Sequence, residues 1–473
     1  MEWRQQEITA LKLLTLAGEL RFAKGIDLVL FRREIYDTQP SRLIALHQEA
    51  QNYSDQTLDI YTTYTVAKEL SMIDNIAPAR IDIGTLSLAY LNSTQSLDSW
   101  LKVTLKYMIG VESKNKHKTD VVLYGFGRIG RLAARRILQL AGRGDQLVLK
   151  AIVLRPKLSD RKAEALKRAA LLSSDSVHGD FNGTIKVSDD GSHMMINGTK
   201  VHLIFAQSPE QINYTEYDID KALVIDNTGV WRDRKGLEQH LRPGISKVML
   251  TAPAKGDVPN IVYGANHEMY NFKSEDILSA ASCTTNAIVP TLQVLHEELD
   301  IMKGHIETVH SYTNDQNLLD NFHKKPRRGR GAPINMVMTS TGAASAVGKV
   351  IPSLNGKLSG NAIRVPTPNV SLAILNLTFS KPTTTEALNG LIKKAAFHGP
   401  LVEQIMYSTS TEFVSSDVVG VPYPSILDGP STIVSDDGMT GIVYLWYDNE
   451  YGYTCQVVRL AKHVTEVRRY VYY

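Results

Sequence analysis

The sequence predicts an α/β protein: a Rossmann-type doubly wound parallel sheet, then an α+β catalytic domain with a mixed or antiparallel sheet, preceded by an extra N-terminal all-α segment. Three observations support this prediction. Strand-like runs alternate with helical segments beyond residue 119. A glycine turn follows the first of those runs. The first hundred or so residues instead carry apolar residues at three- and four-residue spacings.

Composition narrows the classes of protein that this chain can represent. The 473 residues are 43% hydrophobic and 21% charged, which is enough apolar material for two or three domain cores. The net charge of +3 indicates neither a nucleic-acid nor a membrane-surface protein. Only two cysteines are present, and we see no secretory signal and no long apolar run. We therefore expect a cytoplasmic protein without a membrane span.

The N-terminal segment shows the spacing of amphipathic helices in four places. They are residues 8–20, 41–50, 58–73 and 99–109. Between the first two, residues 37–41 have the composition of a turn that leads into a helix. The polar run at 111–120 indicates a linker. We therefore place the boundary of this helical extension, linker included, at residues 1–118.

The first strand-like run beyond the linker ends in a glycine pattern. Gly125, Gly127 and Gly130 form G-x-G-x-x-G between DVVLY and the helical RLAARRIL. In that context backbone amides and the helix N-terminus can hold a pyrophosphate. A plain strand–helix turn is the alternative. We favour a dinucleotide site, in an NAD(P)-binding Rossmann domain at 119–282, with a catalytic domain at 283–449 and a C-terminal helix at 450–473 that returns to the first domain.

The end of the next strand bears on which dinucleotide binds. An acid there would hold the ribose 2′-hydroxyl of NAD, but LVLKAIVL ends in Leu154, followed by Arg155 and Lys157. Asp145 precedes the strand and so belongs to the opposite edge. Without a carboxylate, nothing repels the 2′-phosphate of NADP, and the two cations could pair with it. Alternatively, they are only solvated loop residues.

A cysteine and a histidine provide candidate chemistry. Cys283 stands at the start of a predicted helix, where the helix N-terminus favours a thiolate. His310 ends a predicted strand and could lower the thiol pKa by ion pairing and act as an acid or base. A thiol protease would leave the glycine turn unexplained. Candidate anion donors follow in the sequence: Thr313, Arg328, Thr341 with Gly342, and Arg364. We assign no metal ligands, and we interpret the basic run at 323–331 as phosphate recognition rather than nucleic-acid binding.

At this point the chain closely resembles the glyceraldehyde-3-phosphate dehydrogenase family. The motifs GFGRIGR, DSVHG, TAPAK, ASCTTN, HSYTNDQ, RRGR, TGAASAVGKVIP, GNAIRVPTPNVS and WYDNEYGY occur in the family's order and spacing. The resemblance runs from about Val121 to about His463. It implies a phosphorylating oxidation of glyceraldehyde 3-phosphate to 1,3-bisphosphoglycerate in glycolysis or gluconeogenesis, by a homotetramer that uses NAD or NADP.

The resemblance also implies roles for individual residues. Cys283 is the nucleophile, and His310 lowers its pKa and stabilises the oxyanion. The residues assigned to the cofactor are Gly125, Phe126, Gly127, Arg128, Ile129, Gly130, Leu154, Arg155, Thr228, Thr251, Asn449 and Tyr453. The substrate's own phosphate is assigned to Thr313 and Arg364, with Arg328 as a third anion ligand. The residues assigned to inorganic phosphate are Ser282, Thr284, Thr341 and Gly342.

Several positions depart from the family pattern. Leu154 stands where NAD-using members carry Asp, and Asn321-Phe322 replaces the usual Leu-Pro. Gln207 replaces an Arg near the adenosine, and Ser345 replaces a Lys. We therefore expect NADP to be accepted at least comparably to NAD. Erythrose-4-phosphate dehydrogenase and a non-catalytic regulatory protein on the same fold remain open as alternatives.

Overall fold

The structure is a computed structural model, and it describes residues 2–52, 56–111, 118–142, 146–467 and 469–473. The chain divides into two compact units. Unit 1 comprises Met1–Lys118, Leu140–Leu147 and Glu466–Tyr473. Unit 2 comprises Thr119–Gln139 and Val148–Thr465.

The α-helices in the described ranges are numbered in chain order. They are α1 Glu2–Glu19, α2 Pro40–Gln48, α3 Ile60–Met72, α4 Ile83–Leu91, α5 Leu97–Thr104, α6 Arg128–Gln139, α7 Arg161–Ser173, α8 Arg234–Leu237, α9 Cys283–Leu299, α10 Ala343–Val350, α11 Thr385–Phe397, α12 Ser415–Val418 and α13 Tyr451–Val464.

The β-strands are numbered in the same way. They are β1 Ile26–Leu30, β2 Arg33–Glu34, β3 Ala79–Asp82, β4 Lys118–Tyr124, β5 Gln146–Leu154, β6 Ser174–Asp175, β7 Gly179–Asp180, β8 Ile185–Val187, β9 His193–Ile196, β10 Thr199–Phe205, β11 Ala222–Asp226, β12 Ile245–Leu250, β13 Ile277–Ser279, β14 Ile301–Ser311, β15 Val337–Ser340, β16 Leu358–Val365, β17 Ser371–Phe379, β18 Ile405–Ser408, β19 Ser425–Asp428, β20 Ile433–Val434, β21 Thr440–Tyr447 and β22 Tyr470–Tyr472.

Unit 1 is not all-α, which corrects the sequence prediction. The four predicted helical stretches overlap α1, α2, α3 and α5, but a sheet of order β2-β1-β3-β22 joins them. β1 and β22 both run parallel to β3. A five-residue apolar run such as β1 has no periodicity that separates a strand from a buried helix segment. Its pairing with β3, and that of β3 with the last residues, depends on contacts that are distant in sequence.

The first sheet of unit 2 confirms the predicted Rossmann-type fold. Its order is β13-β12-β11-β4-β5-β10-β9-β8. The pairs β13–β12, β12–β11, β11–β4 and β5–β10 are parallel, whereas β10–β9 and β9–β8 are antiparallel. The sheet extends from β4 on both sides, through β5 on one and through β11 on the other. β4 and its glycine turn therefore lie at the switch point of the sheet, where ligands bind in sheets of this kind. This strand is a continuous apolar run because both of its faces are covered, and Val121, Val122 and Leu123 are all fully buried.

The second sheet of unit 2 is mixed, as predicted for the catalytic domain. Its order is β15-β16-β14-β17-β21-β19-β18, with β20 paired to β21. β14 and β16 are parallel, and β14, β17 and β21 are successively antiparallel. The helices α9, α10 and α11 cover an apolar core that includes Leu292, Val347 and Leu388. This packing fixes the N-terminus of α9 against the end of β14.

Two further predictions need correction or qualification. The C-terminal helix ends at Val464 rather than continuing to residue 473, and Tyr470–Tyr472 form β22 in the sheet of unit 1. The predicted linker at 111–120 lies largely outside the described residues, since 112–117 are not among them, and Lys118 already begins β4. Asp145 also lies outside them. In the ranges that the structure describes, we find no helix that combines the length and apolarity of a membrane span.

Candidate active site

The glycine turn after β4 has the geometry that a dinucleotide pyrophosphate needs. Gly125 has a φ of +89°, which a side chain rarely adopts. A Cβ at Gly130 would lie 2.4 Å from the carbonyl oxygen of Gly125, so only glycine allows α6 to pack there. A Cβ at Gly127 would meet nothing within 4 Å, which leaves open space at the N-terminus of α6. The turn therefore fits a bound phosphate group.

The ends of the neighbouring strands form the rest of this edge. Asp226 ends β11, and its carboxylate accepts the N–H of Thr228 at 2.7 Å and its hydroxyl at 2.6 Å. Thr251, just after β12, donates its hydroxyl to the Asp226 carbonyl at 3.0 Å. The two threonines assigned to the cofactor are thus brought to one sheet edge, and both side chains are held by β11.

The end of β5 carries no acid, as the sequence indicates. Leu154 is buried, and its carbonyl accepts the N–H of Ala206 at 3.0 Å. Arg155 is exposed. Burial raises the pKa of Tyr124, the last residue of β4, to about 12, and the charge of Arg155 opposes that shift. Because this charge acts on Tyr124, the Arg155 guanidinium lies at the same edge as the glycine turn.

The Arg128 side chain forms ion pairs at the N-terminus of α6. Its guanidinium donates to Glu450 at 3.0 Å and is ion-paired with Asp175. Glu450 belongs to the segment before α13, and Asp175 to the DSVHG motif. The side chain is therefore engaged within the protein, and Arg128 can face a pyrophosphate only through its position at the N-terminus of α6. Ile129 is half-buried and Phe126 is buried at the same turn.

The loop before Cys283 is held in an unusual conformation. Ala281 has a φ of +55°, a strained value for a residue with a Cβ. Three successive carbonyls are captured by buried side chains. Tyr453 donates to Ala281 at 3.0 Å, and Asn286 donates to Ala280 and Ser282, each at 2.9 Å. Tyr453 therefore braces the loop that carries the cysteine, in addition to its assigned place beside the cofactor.

The thiol and the imidazole meet at the N-terminus of α9. Ser282 caps this helix by accepting the N–H of Thr285 at 3.0 Å, and Cys283 is its first residue. The Sγ of Cys283 lies 3.7 Å from Nε2 of His310, which stands one residue before the end of β14. The other ring nitrogen, Nδ1, lies 2.8 Å from the carbonyl oxygen of Ser311. A donated Nδ1–H leaves Nε2 free to accept the thiol proton.

Burial and the charge of Arg364 act on the pKa of both groups, the Cys283 thiol and the His310 imidazole. Burial raises the pKa of the Cys283 thiol, with the Arg364 guanidinium acting in the opposite direction. Burial, with the Arg364 charge adding to it, lowers the pKa of His310 to about 3. Burial disfavours both charged forms. Burial therefore favours the protonated thiol and the neutral imidazole, whereas the Arg364 charge favours the thiolate.

The predicted anion donors surround this pair to different degrees. Arg364 is opposite His310 in the β14–β16 register, and its guanidinium donates to the Ser311 carbonyl at 2.8 Å. The Nε of Arg364 is buried without a hydrogen-bond partner. Arg328 donates to Thr339 at 3.1 Å and is ion-paired with Asp315. Burial and the charge of Arg328 both lower the pKa of Arg364, so an anion beside the Arg364 guanidinium would be stabilised.

The remaining predicted residues are polar and lie on loops or helix starts. Thr284 contacts the hydroxyl of Tyr447 at 3.1 Å. Thr341 accepts the N–H of Ala343 at 3.2 Å at the start of α10, which Gly342 precedes. Thr313 is half-buried three residues after His310. Asn449 is buried in the turn between β21 and α13.

Sequence reasoning missed two groups at this site. Ser371 donates to Asn449 Oδ1 at 2.9 Å, and Tyr447 contacts Thr284. A second group links His178 to Asp448 at 3.0 Å, next to Asn449. Their only signal in the sequence is that they fall inside the motifs PNVS, WYDNEYGY and DSVHG. Nothing in spacing alone shows that these motifs meet.

Comparisons with known proteins agree with this geometry. The family described as "Glyceraldehyde 3-phosphate dehydrogenase, NAD binding domain" matches residues 119–234, and "Glyceraldehyde 3-phosphate dehydrogenase, C-terminal domain" matches residues 282–449. A glyceraldehyde-3-phosphate dehydrogenase-like protein of Pseudomonas aeruginosa is 46% identical over 442 residues, which is 93% of this chain and 94% of that protein.

Other relatives are similar over a shorter part of the chain. Glyceraldehyde-3-phosphate dehydrogenase 2 of a Nostoc species is 40% identical over 346 residues, 73% of this chain and 98% of that protein. The chloroplastic glyceraldehyde-3-phosphate dehydrogenase A of Zea mays is 41% identical over 348 residues, 73% of this chain and 82% of that protein.

The fold and the site define an NAD-dependent oxidoreductase with a cysteine at its centre. The chain belongs to the glyceraldehyde-3-phosphate dehydrogenase family. The alignment with the Pseudomonas protein covers 93% of this chain, so it must include most of residues 2–118. Unit 1 is therefore shared at least in sequence with that relative.

Proposed function

We propose that this protein is a phosphorylating glyceraldehyde-3-phosphate dehydrogenase that oxidises its aldehyde through a thioester on Cys283. The observation that carries the proposal is the 3.7 Å separation of the Cys283 Sγ and the His310 Nε2 at the N-terminus of α9. Helix N–H groups at that terminus stabilise the negative charge that develops there. The strained, braced loop at Ala281 holds the thiol in place before the substrate arrives.

The neutral pair gives each residue a defined part in the chemistry. Cys283 adds to the aldehyde carbon, forming the C–S bond, while its proton passes to His310 Nε2, which then donates a hydrogen bond to the new alkoxide. When bound, the nicotinamide supplies the hydride acceptor that oxidation to the thioester requires. Inorganic phosphate then forms a C–O bond as the C–S bond breaks, and the departing sulfur recovers a proton from His310. The product is an acyl phosphate.

Two arginines support a phosphorylated substrate. The Arg364 Nε is buried and without a hydrogen-bond partner, and Arg328 is held beside it by Asp315 and Thr339. Guanidinium groups bind phosphate through paired N–H donors. We assign the substrate's own phosphate to Arg364 and Thr313 with Arg328 nearby. Inorganic phosphate is assigned to Ser282, Thr284, Thr341 and Gly342.

We further propose that NADP serves at least as well as NAD. A carboxylate at the end of β5 would repel the 2′-phosphate, but Leu154 is apolar and buried. Arg155 is exposed at the same edge and offers the phosphate a cation. The two carboxylates that follow β5 are engaged elsewhere: Asp160 accepts the N–H of Ala163 at 3.0 Å, and Glu164 accepts the N–H of Lys157 at 2.8 Å.

A homotetramer is part of the proposal. Several large apolar side chains between residues 318 and 338 are exposed to solvent in the isolated chain. Phe322 is 91% exposed and Ile334 is 84% exposed. Clustered exposed apolar residues are typical of protein interfaces. The Asn321-Phe322 pair, which departs from the family pattern, lies in this segment. A neighbouring subunit that packs on the segment would therefore contact the chain close to that pair.

Steady-state kinetics with two aldehydes and two cofactors test this function. We expect glyceraldehyde 3-phosphate to be preferred over erythrose 4-phosphate, with activity that requires phosphate or arsenate. NADP should give a kcat/KM at least comparable to that of NAD. A preference for NAD above about a hundredfold, which is about 2.7 kcal/mol, would contradict the cofactor proposal. A preference for erythrose 4-phosphate would contradict the substrate.

A further inference from the structure

We propose that Ser371 is a positioning residue that fixes which end of the Asn449 amide faces the nicotinamide. The inference rests on the proposed function and on the role that the family resemblance implies for Asn449, which is to orient the carboxamide of the nicotinamide. Ser371 begins β17, is buried, and lies opposite Tyr447 in the register with β21. Asn449 lies two residues after Tyr447 in the chain and is also buried. Ser371 can therefore act on the amide without contact with solvent.

The hydrogen-bond partners of Ser371 determine the direction of its own proton. Its Oγ accepts the backbone N–H of Ser311 at 3.2 Å. Asn449 presents Oδ1 to Ser371 at 2.9 Å, and an amide oxygen can only accept. The Ser371 proton therefore points at Asn449, and a lone pair of the hydroxyl is left for the Ser311 N–H.

This arrangement leaves Nδ2 of Asn449 as the end that is free for a ligand. An amide nitrogen only donates, so Asn449 then selects a hydrogen-bond acceptor. The carboxamide oxygen of nicotinamide is such an acceptor. The same hydroxyl also accepts the N–H of Ser311, the residue that follows His310. Ser371 therefore links β14, which carries His310, to the side-chain amide of Asn449.

The neighbouring residue prevents the turn from adjusting. Asp448 is fully buried and accepts the N–H groups of Glu450 at 2.9 Å and Tyr451 at 2.8 Å. It also accepts the N–H of Gly420 at 2.8 Å. With the backbone anchored, the remaining freedom of Asn449 is rotation of its side-chain amide. Ser371 removes that freedom.

The test compares the binding of NAD with that of its 3-acetylpyridine analogue, which keeps the ring carbonyl but has no amide N–H. In the native protein, Nδ2 can donate to the carbonyl of either ligand. In Ser371→Ala the Asn449 amide can rotate so that its oxygen faces the ligand. NAD can donate its carboxamide N–H to that oxygen, whereas the analogue has no such donor. We expect the ratio of the Kd of the analogue to that of NAD to rise about 3- to 10-fold, equivalent to one hydrogen bond.

Ser425→Ala is the matched control. Ser425 is as buried as Ser371, lies in the same domain and hydrogen-bonds Thr291 at 3.0 Å. The control should leave the ratio unchanged. Asn449→Asp, which offers only acceptors, should shift the ratio in the same direction as Ser371→Ala and further. A ratio in Ser371→Ala equal to that of Ser425→Ala would overturn the inference.

Two arrangements keep the outcomes distinct. Ser371→Cys retains the side-chain volume with a weaker donor, so it takes the place of the alanine variant if thermal unfolding shows that variant to be misfolded. Because equilibrium binding needs no turnover, a native chain that binds neither ligand contradicts the proposed function. A chain that binds both, with the ratio unchanged in Ser371→Ala and Ser371→Cys, contradicts only the role of Ser371.

Discussion

The charge state of Cys283 is determined by burial at the scale of single residues. The helix N-terminus and Arg364 favour a thiolate, but burial outweighs both and raises the thiol pKa, while the His310 pKa falls to about 3. These two directions predict that Cys283 is protonated and His310 neutral before an aldehyde binds.

This charge state predicts the pH dependence of thiol modification. The rate of Cys283 alkylation by iodoacetamide should rise through an inflection above the ordinary cysteine pKa of 9.0, because burial raises the pKa of this thiol. His310 stays neutral at any pH well above 3, so it should add no inflection near neutrality. His310→Asn should therefore leave the profile nearly unchanged. A plateau in the native protein between pH 6 and 8 would show a pre-formed ion pair instead.

The nucleophile and its histidine could be proposed from sequence because both lie in local motifs. Their pKa directions could not, because these depend on burial and on the charge of Arg364, which comes from another strand. The partners of the Arg128 side chain could not be predicted for a similar reason. Its partners Asp175 and Glu450 are distant in sequence, and no local pattern shows that the guanidinium is already paired.

At the scale of elements, the turn from β4 to α6 separates two kinds of glycine. A Cβ at Gly130 collides with backbone, so Gly130→Ala should unfold or distort the turn. A Cβ at Gly127 meets only open space, so Gly127→Ala should keep the native unfolding temperature within about 2 °C. It should nevertheless weaken NAD binding by about tenfold or more, since the methyl group enters the space for the pyrophosphate. Calorimetry and equilibrium binding check both expectations.

The outcome that would contradict this assignment is specific. If Gly127→Ala binds NAD as tightly as the native protein, the pyrophosphate does not occupy that space. The three glycines were predictable because the motif is contiguous and each geometric demand is local. The doubly wound parallel sheet was predictable from the alternation of strands and helices, which is also a local signal.

The end of β5 predicts a change of cofactor preference. Leu154→Asp would restore a charge-assisted hydrogen bond to the 2′-hydroxyl of NAD, worth about 1.5–3 kcal/mol. The ratio of kcat/KM for NAD to that for NADP should rise about tenfold or more. Arg155→Ala is the companion variant, and it should weaken NADP selectively. If Leu154→Asp leaves the ratio unchanged, another residue recognises the ribose.

At the scale of the whole molecule, unit 1 is built from both ends of the chain. β22 pairs with β3, Tyr107 donates its hydroxyl to the Val471 carbonyl at 3.0 Å, and the Arg32 guanidinium lies 4.5 Å from the centre of the Tyr473 ring. Arg32 is also ion-paired with the buried Asp82 at 2.6 Å. Helical spacing predicted α1, α2, α3 and α5 of this unit but not α4, and pairing across nearly the full length of the chain has no local signal.

Matched deletions test this architecture. Removal of residues 1–115 alone leaves β22 without β3, so the exposed Tyr470 and Tyr472 should promote aggregation. Removal of residues 1–115 together with 466–473 should give a better-behaved protein that keeps dehydrogenase activity, because every assigned site residue lies in unit 2. Removal of 466–473 alone should make unit 1 more sensitive to proteolysis. A double deletion that binds cofactor but has lost turnover would make unit 1 part of the working enzyme.

The central claim is a thioester on Cys283 that only phosphate releases, and a single-turnover measurement without phosphate tests it most directly. Native protein mixed with glyceraldehyde 3-phosphate and cofactor in phosphate-free buffer should form one equivalent of reduced cofactor per active site and then stop. Added phosphate should restart turnover, and Cys283→Ser should give no burst. Rapid multiple turnover without phosphate or arsenate, or a burst that survives in Cys283→Ser, would contradict the account.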